Sequence, residues 1–303
     1  MVTATSGVLL AESTPLRSEA AGPKKRVHIA GNQYPWFTYY RREKRDFSAT
    51  RDESLAEVAK SGLDGFEPGV QSADSITKIA PLLKRHGLQM RSIYVGSVLH
   101  EPDQAEKSIR EMLAIAEKAK SFGTEIIVTN PSPIRWGGQA VKTDEQLVFQ
   151  AKTLDRLGAE LRRRGLTLAY HNHDIELRNA AREFHHMLLA TDPAHLSLCL
   201  DCHWIYRGSG NSNVALFDVL KLYGSRIVEL HVRQSRDGIW TEVFSEGDID
   251  YPAIVRYLKQ IRVIPHVVLE QAVEKGTPHT MDGLAAHRRS IEYARKVFAP
   301  FAR

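Results

Sequence analysis

Short runs of β-branched and apolar residues alternate along the chain with segments whose apolar residues recur every three or four positions. The short runs begin at Arg26, Leu63, Leu88, Thr124, Leu166, Leu196, Arg226 and Pro265. Helix-period segments such as ITKIAPLLKRHG and LAAHRRSIEYARKVF follow each of them. The short runs are typical of buried strands, and a period of 3.6 indicates amphipathic helices. The sequence therefore predicts eight strands, each followed by a helix.

This repeated strand–helix unit predicts an α/β fold. Helical crossovers join parallel strands, and no Pro/Gly/Ser-rich linker interrupts the repeat. We therefore expect residues 25–303 to form one catalytic domain, a single (β/α)8 TIM barrel. Residues 1–24 are rich in Ala, Ser, Thr and Pro and predict a flexible N-terminal tail. A remnant of a targeting signal is the alternative, although the basic and long apolar parts of such a signal are missing.

The segment Asn32–Phe47, NQYPWFTYYRREKRDF, departs from the repeat because it is both aromatic and basic. It follows the first predicted strand, so it lies near the barrel mouth. We interpret it as a loop whose aromatic side chains cover that mouth. The functional alternatives are a lid that closes over substrate and, less favoured, a platform for nucleic acid.

Composition adds little that is specific. The 303 residues include 41 Lys and Arg against 36 Asp and Glu, for a net charge of +5. This small excess fits an anionic small molecule as well as it fits nucleic acid. Cys199 and Cys202 are too few for a disulfide framework and are interpreted as buried apolar residues. No apolar run approaches the length of a membrane span, so we predict a cytoplasmic protein without a membrane partner.

Candidate chemistry lies where the predicted strands end, because TIM barrels carry their active sites at that face. The polar residues at these ends are Glu67, His171, His173, Asp201, His203, His231 and Glu270. Strands five to eight are neighbours in a barrel, so His171, Asp201, His231 and Glu270 can converge on one point. Two imidazoles and two carboxylates suit Mn²⁺, Mg²⁺, Co²⁺, Fe²⁺ or Zn²⁺. The alternative is a buried polar network without metal.

Strand alternation divides these residues by role, because positions two apart share a face. His171 shares a face with His173, and Asp201 with His203. We assign His171 to the metal and His173 to substrate or proton transfer, with the reverse assignment left open. The predicted catalytic residues are Glu270, His173 and His203. The predicted substrate-binding residues are Glu67, Arg233, Trp204 and Glu176.

Together these motifs resemble the xylose isomerase-like TIM barrels, the sugar phosphate isomerase/epimerase superfamily. The resemblance rests on AYHNHDIEL, LDCHW, ELH, VLEQ and GDIDYPAIV, and it covers the chain from about Arg26 to Phe298. It implies one divalent metal ion, with Mn²⁺ favoured, held by one ligand from each of strands five to eight. Asp201, His231 and Glu270 match the last three ligands of the ketose epimerases. His171 stands where those enzymes have Glu, which resembles the inosose dehydratase-like branch.

The superfamily also includes endonuclease IV, whose three-zinc site needs an Asp two residues after the strand-seven His. That position is Arg233 here, and strand three supplies no His before His100. We therefore expect no nucleic-acid partner.

The resemblance implies metal-assisted proton transfer next to the carbonyl of a sugar or polyol-derived keto compound. We prefer an isomerase or epimerase of a small-molecule carbohydrate, with a dehydratase (lyase) of inosose or 3-keto-sugar type as the alternative. A rival of another class is a barrel that binds a sugar without catalysis, or that completes a partner's site. A homodimer is the expected assembly.

Overall fold

The computed structural model describes Met1 and residues 26–302, in which helices surround a ring of parallel strands. The strands are β1 (Ile29–Asn32), β2 (Gly65–Glu67), β3 (Gly69–Val70), β4 (Ser92–Val95), β5 (Ile126–Thr129), β6 (Thr167–His171), β7 (Leu196–Asp201), β8 (Ile227–Val232), β9 (Ser235–Arg236), β10 (Ile239–Trp240) and β11 (His266–Leu269). The helices are α1 (Gln33–Arg42), α2 (Arg51–Lys60), α3 (Ala73–Arg85), α4 (Pro102–Lys120), α5 (Asp144–Arg163), α6 (Arg178–Leu189), α7 (Cys202–Gly208), α8 (Asn213–Tyr223), α9 (Tyr251–Gln260) and α10 (Gly283–Phe298). Apart from Met1, the predicted tail over residues 1–24 lies outside the described residues.

The barrel strands pair in parallel in the order β2-β1-β11-β8-β7-β6-β5-β4-β3. Strands β2 and β3 are two halves of one barrel strand that is interrupted at Pro68. β2 pairs with β1, and β3 pairs with β4. The Pro68 carbonyl accepts a hydrogen bond from the Tyr94 backbone N–H at 3.0 Å, which continues the ladder across the break. The predicted (β/α)8 TIM barrel is confirmed.

Local chemistry sets the ends of the helices. Helix α5 begins with a capping box, in which the Thr143 hydroxyl accepts from the Gln146 N–H and the Gln146 side chain accepts from the Thr143 N–H. Helices α4 and α5 are followed by Gly123 and Gly165, whose φ angles are 90° and 72°. This left-handed conformation ends a helix and is least costly for glycine. Each helix therefore turns into the next strand within a few residues.

The interior of the barrel changes in character along its axis. Ile126, Val128, Ala169 and Cys199 form a small apolar cluster inside the ring, separate from the large core between strands and helices. Toward the C-terminal ends of the strands, buried polar side chains take over. The fold therefore places charged groups in a low-dielectric interior, where their mutual interactions are strong.

Within the segment Asn32–Phe47, residues Gln33–Arg42 form helix α1, so the interpretation of the segment as a loop is wrong for these residues. The Asn32 side chain accepts a hydrogen bond from the Tyr34 N–H at 2.7 Å and caps the helix. Trp36 is fully buried and stacks on His287 of α10, with ring centroids 4.0 Å apart. The aromatic residues thus divide between the core and the mouth, because a helix distributes neighbouring positions over different faces.

Helix α7 is a second helix that the sequence pattern did not predict. It follows β7 directly, and the Asp201 carboxylate caps it by accepting from the Trp204 N–H at 2.8 Å. Because the strand ends at Asp201, the alternation that placed Asp201 and His203 on one face does not apply. His203 belongs to the helix, and its ring packs near that of Trp240, with centroids 6.0 Å apart.

Two observations bear on the cellular setting. Among the helices of the described residues, none combines the length and hydrophobicity that a membrane crossing requires. Cys199 and Cys202 are both free and fully buried, as predicted. Cytoplasmic localisation stays a prediction.

Candidate metal centre and cavity

Four neighbouring strands carry the predicted metal ligands to one place. His171 ends β6, Asp201 ends β7, His231 lies near the end of β8, and Glu270 follows β11. One donor atom from each side chain lies within 4.8 Å of the corresponding atom in every other. All four residues are buried. The parallel register places Asp201 directly beside His231, so the cluster follows from strand pairing.

The buried cluster contains donor atoms that lack hydrogen-bond partners. Neither ring nitrogen of His171 is hydrogen-bonded, nor is Oδ2 of Asp201, which lies 3.8 Å from His171 Nε2. Buried polar atoms of this kind are costly unless something satisfies them. Burial lowers the pKa of His171 well below its ordinary value, which favours the neutral ring that binds metals. The cluster is therefore compatible with a divalent metal ion.

Arg233 fixes the charge and position of Glu270. Its Nη2 donates to the Glu270 carboxylate at 2.7 Å, and its Nε donates to the Glu270 carbonyl at 3.0 Å. The guanidinium lies over the ring of Trp240, 4.2 Å from its centroid. Burial alone would raise the pKa of Glu270, but Arg233 and His231 hold it well below its ordinary value. Glu270 is therefore a carboxylate at neutral pH.

A second group of carboxylates lies against the other side of His231. Nε2 of His231 is 3.1 Å from Oε1 of Glu67 and 3.2 Å from Oε1 of Glu229. Both glutamates are fully buried. Burial, followed by the charge of Glu67, raises the pKa of Glu229 to about 8. His231 is thus held between Glu270 on one side and this pair on the other.

A cavity of about 520 Å³ opens over the cluster at the barrel mouth. Among the four predicted ligands, Glu270 is the one that also lines this cavity. Trp136 lies in its wall with 55% of its surface exposed. The other lining residues are Asn32, Gln33, Tyr34, Phe37, Gly69, Tyr94, His173, Asp174, Trp204 and Arg233. Such a mixture of aromatic walls and a few polar groups is typical of small-molecule sites.

Residues 55–297 match the family model described as a xylose isomerase-like TIM barrel. The chain belongs to this family. The resemblance predicted from the strand-end motifs is therefore confirmed.

Relatives of this xylose isomerase-like barrel are distant in sequence. An inosose dehydratase of Clostridium perfringens is 20% identical over 272 residues, which cover 80% of this chain and 89% of the relative. An inosose dehydratase of Clostridium botulinum is 24% identical over 208 residues, covering 65% and 67%.

Solved structures resemble the barrel over most of its length. A sugar phosphate isomerase/epimerase from Parabacteroides distasonis gives a TM-score of 0.72 at 16% identity, covering 96% of this chain and all of that one. A D-allulose 3-epimerase from Methylomonas gives 0.69 at 15% identity, covering 90% and 97%. A xylose isomerase-like protein from Mycobacterium smegmatis, solved with magnesium, gives 0.66 at 16% identity, covering 91% and 97%. At sequence identities this low, the similarity shows a shared fold only.

Besides Glu270, three of the predicted catalytic and substrate-binding residues line the cavity. They are His173, Trp204 and Arg233. The His173 ring centroid lies 4.7 Å from that of His171 and 5.1 Å from that of Trp136. Burial lowers the pKa of His173 to about 4, so its ring is neutral near pH 7. A neutral imidazole next to the cluster can donate a hydrogen bond through one nitrogen and accept a hydrogen bond or a proton at the other.

The other three predicted residues lie outside the cavity wall. Glu67 contacts His231 from within the barrel. Glu176 accepts a hydrogen bond from the His173 N–H at 2.6 Å. Burial lowers the pKa of His203 to about 2, and its ring packs among aromatic side chains. The predicted roles of Glu67, Glu176 and His203 stay predictions.

Several residues of the cavity and of the buried cluster beneath it were not singled out from the sequence. Tyr34 and Phe37 belong to the aromatic segment that the pattern had already assigned to the mouth. Trp136 lies in the loop after β5, where the rule that loops following strands form the active face would have pointed to it. Glu229 shares a face with His231, but only the folded barrel reveals that it contacts the ring.

Proposed function

We propose that this chain is a divalent-metal-dependent isomerase or epimerase that moves a proton next to the carbonyl of a sugar or polyol-derived keto compound. The observation that carries the proposal is the convergence of His171, Asp201, His231 and Glu270 beneath a cavity that Glu270 itself lines. The D-allulose 3-epimerase among the similar folds supports this choice of reaction.

The four converging side chains would hold the cation, with Mn²⁺ favoured. When bound, it supplies Lewis-acid stabilisation to the oxygens of a carbonyl and an adjacent hydroxyl. Glu270 remains ionised beside Arg233 and lines the cavity, so its carboxylate can take the proton from the carbon next to the carbonyl.

Other cavity residues would position the substrate and return the proton. Nη1 of Arg233 is buried without a hydrogen-bond partner, which leaves a donor for a substrate oxygen. The neutral ring of His173 can relay a proton to carbon or oxygen, because its bare nitrogen can take one up as the N–H nitrogen releases another. Tyr34, Trp136 and Trp204 provide apolar faces that exclude water and pack against the C–H groups of a sugar.

Dehydration is the second candidate reaction. The relatives named inosose dehydratase favour it, and so does His171 at the position where ketose epimerases carry Glu. Glu270 would again remove the proton, and His173 would relay a proton to the departing β-hydroxyl, which leaves as water, while its other ring nitrogen takes one up. The two reactions thus share removal of the proton by Glu270. They differ in the next step, which is return of a proton in the first reaction and loss of water in the second.

Deuterium exchange tests the proposal directly. The protein loaded with Mn²⁺ is incubated in D₂O with ketoses, inososes and 3-keto sugars, and mass spectrometry follows exchange and product. We expect deuterium at the carbon next to the carbonyl of at least one compound. A product that differs from the substrate only in arrangement and in deuterium content identifies an isomerase or epimerase, and loss of water identifies a dehydratase. No exchange across the panel would contradict both.

Glu270→Gln provides the mechanistic control, since it keeps the side-chain shape and removes the base. We expect it to slow exchange by about 10²- to 10⁴-fold. Glu242→Gln is the matched variant, because Glu242 is buried but bonds Arg42 and Thr280 away from the cavity lining. It should retain exchange. Sugar binding without metal or exchange would instead identify a non-catalytic sugar-binding barrel.

A further inference from the structure

Two fully buried carboxyl groups, those of Glu67 and Glu229, approach one imidazole nitrogen from two strands. Glu67 belongs to β2 and Glu229 to β8, so their side chains meet inside the ring. Each places its Oε1 on Nε2 of His231, at 3.1 Å and 3.2 Å. Neither glutamate lines the cavity. The pair therefore acts on His231 and not on a substrate.

The rest of the environment holds these carboxyl groups in place. The Asn32 side chain donates to Oε1 of Glu67 at 2.7 Å, and the Cys199 thiol lies 3.4 Å from Oε1 of Glu229. Taking two carboxyl groups out of water is costly, so their contacts must compensate. In each glutamate the oxygen held by this contact, Oε1, is also the oxygen that lies next to His231.

Hydrogen-bond chemistry then selects one form of the His231 ring. Nε2 faces carboxyl oxygens of two residues and Nδ1 faces only one, at a longer distance, so a single ring hydrogen is better accommodated on Nε2. In a neutral imidazole the other nitrogen then has the free lone pair. That nitrogen is Nδ1, which lies 3.3 Å from Oε2 of Glu270 within the ligand cluster.

We infer that Glu67 and Glu229 are positioning residues that keep a hydrogen on Nε2 of His231 and thereby present Nδ1 to the metal ion. The inference rests on the metal centre of the proposed function. Ligating histidines commonly bond a carboxylate through their second nitrogen, which fixes the ring and makes it a better ligand. Here two carboxyl groups perform that role, one on each of two strands.

Manganese affinity is the first test. Glu67→Gln, Glu229→Gln and the double variant are titrated with Mn²⁺, and the EPR signal of the free ion reports binding. We expect each single variant to weaken binding by about 10- to 100-fold, and the double variant to bind at least as weakly. Glu242→Gln should bind like the wild type. A folded double variant with wild-type affinity would overturn the inference.

The position of the hydrogen on His231 is the second test, and it is read from the wild-type protein. Long-range ¹H–¹⁵N spectra of ¹⁵N-histidine-labelled wild type are recorded metal-free and with Mg²⁺, and His231→Asn assigns the ring. We expect Nε2 to carry hydrogen in both states. A His231 ring with a bare Nε2 would contradict the inference. If the wild type binds no metal, the proposed function fails, while the metal-free spectrum still decides the hydrogen position.

Discussion

Arg233 joins the candidate metal centre to the aromatic wall of the cavity. Its guanidinium bonds both the carboxylate and the backbone carbonyl of Glu270, and one face lies over Trp240. Arg207 stacks on the same indole, 5.0 Å from its centroid, and forms an ion pair with Glu274 at 2.7 Å. The planar, delocalised group is suited to this combination of stacking and forked hydrogen bonding.

We predict that Arg233→Lys impairs turnover more than stability of the fold. A lysine ammonium cannot bond both groups of Glu270 while stacking on Trp240, so the base would lose its orientation. Misplacement of a catalytic group by about 1 Å costs on the order of 10²-fold. The measurement is kcat in the exchange assay with the substrate that it identifies.

Arg207→Lys is the matched control for this prediction. Arg207 contacts the same tryptophan but bonds Glu274, which does not belong to the ligand cluster. We expect a smaller decrease in kcat, within a few-fold. Equal effects of the two substitutions would mean that Arg233 acts through the packing of Trp240 alone.

The strands and the long helices were predictable because their hydrophobic periods are local properties of the chain. Helices α1 and α7 were not predicted. In α1 the aromatic residues obscured the period, and in α7 the sequence LDCHW continued a strand-like run past Asp201. Capping by Asn32 and Asp201 supplied the missing start signals, but such caps also begin turns.

The convergence of the four predicted ligands could be predicted because it depends only on the order of strands in a barrel. Glu67 was different. It stands at the apparent end of the second predicted strand, but this barrel strand continues after Pro68 as β3, Gly69–Val70. Glu67 therefore lies below the mouth, where it contacts His231. The distance of Glu67 below the mouth depends on how this strand pairs with both of its neighbours, and the local sequence does not encode that pairing.

Helix α5 provides a test of helix packing against the barrel. Gly158 lies inside this helix, where Ala would normally stabilise by about 1 kcal/mol. A Cβ at this position would lie only 2.6 Å from the carbonyl carbon of His195. We predict that Gly158→Ala lowers the free energy of unfolding by about 1–3 kcal/mol, because the backbone must move.

The prediction is checked by urea unfolding beside a control in the same helix. Val148 is 43% exposed, so Val148→Ala changes helix propensity without altering a tight contact. It should leave stability unchanged or raise it slightly. A stabilised Gly158→Ala variant would show that the backbone at His195, before β7, can move away from α5 at little cost in free energy.

Across the whole molecule, the barrel keeps several imidazoles neutral in addition to the cluster at its mouth. Burial lowers the pKa of His28 to about 4 and that of His266 to about 3. These two rings lie 5.2 Å apart at the N-terminal end of the strands, a face of TIM barrels that serves stability. His287, stacked on Trp36, has its pKa lowered to about 4, also by burial.

We predict that these histidines make the fold less stable in mild acid. Each has a folded pKa below its unfolded value of about 6.5, so the unfolded chain binds more protons as the pH falls from 6.5 toward 4. Their stabilising contribution is therefore complete above pH 6.5 and decreases below it. For the buried His287, the difference of about 2.5 pKa units corresponds to at most about 3 kcal/mol.

Unfolding by urea at pH 7.5 and pH 5 measures the effect. His287→Phe and His266→Phe replace a titrating ring with an apolar one, and each should reduce the stability difference between the two pH values. His279 is exposed, so His279→Gln should leave that difference unchanged. If the wild type is equally stable at both pH values, or if the two Phe variants keep the full difference, these buried rings do not determine the acid sensitivity of the barrel.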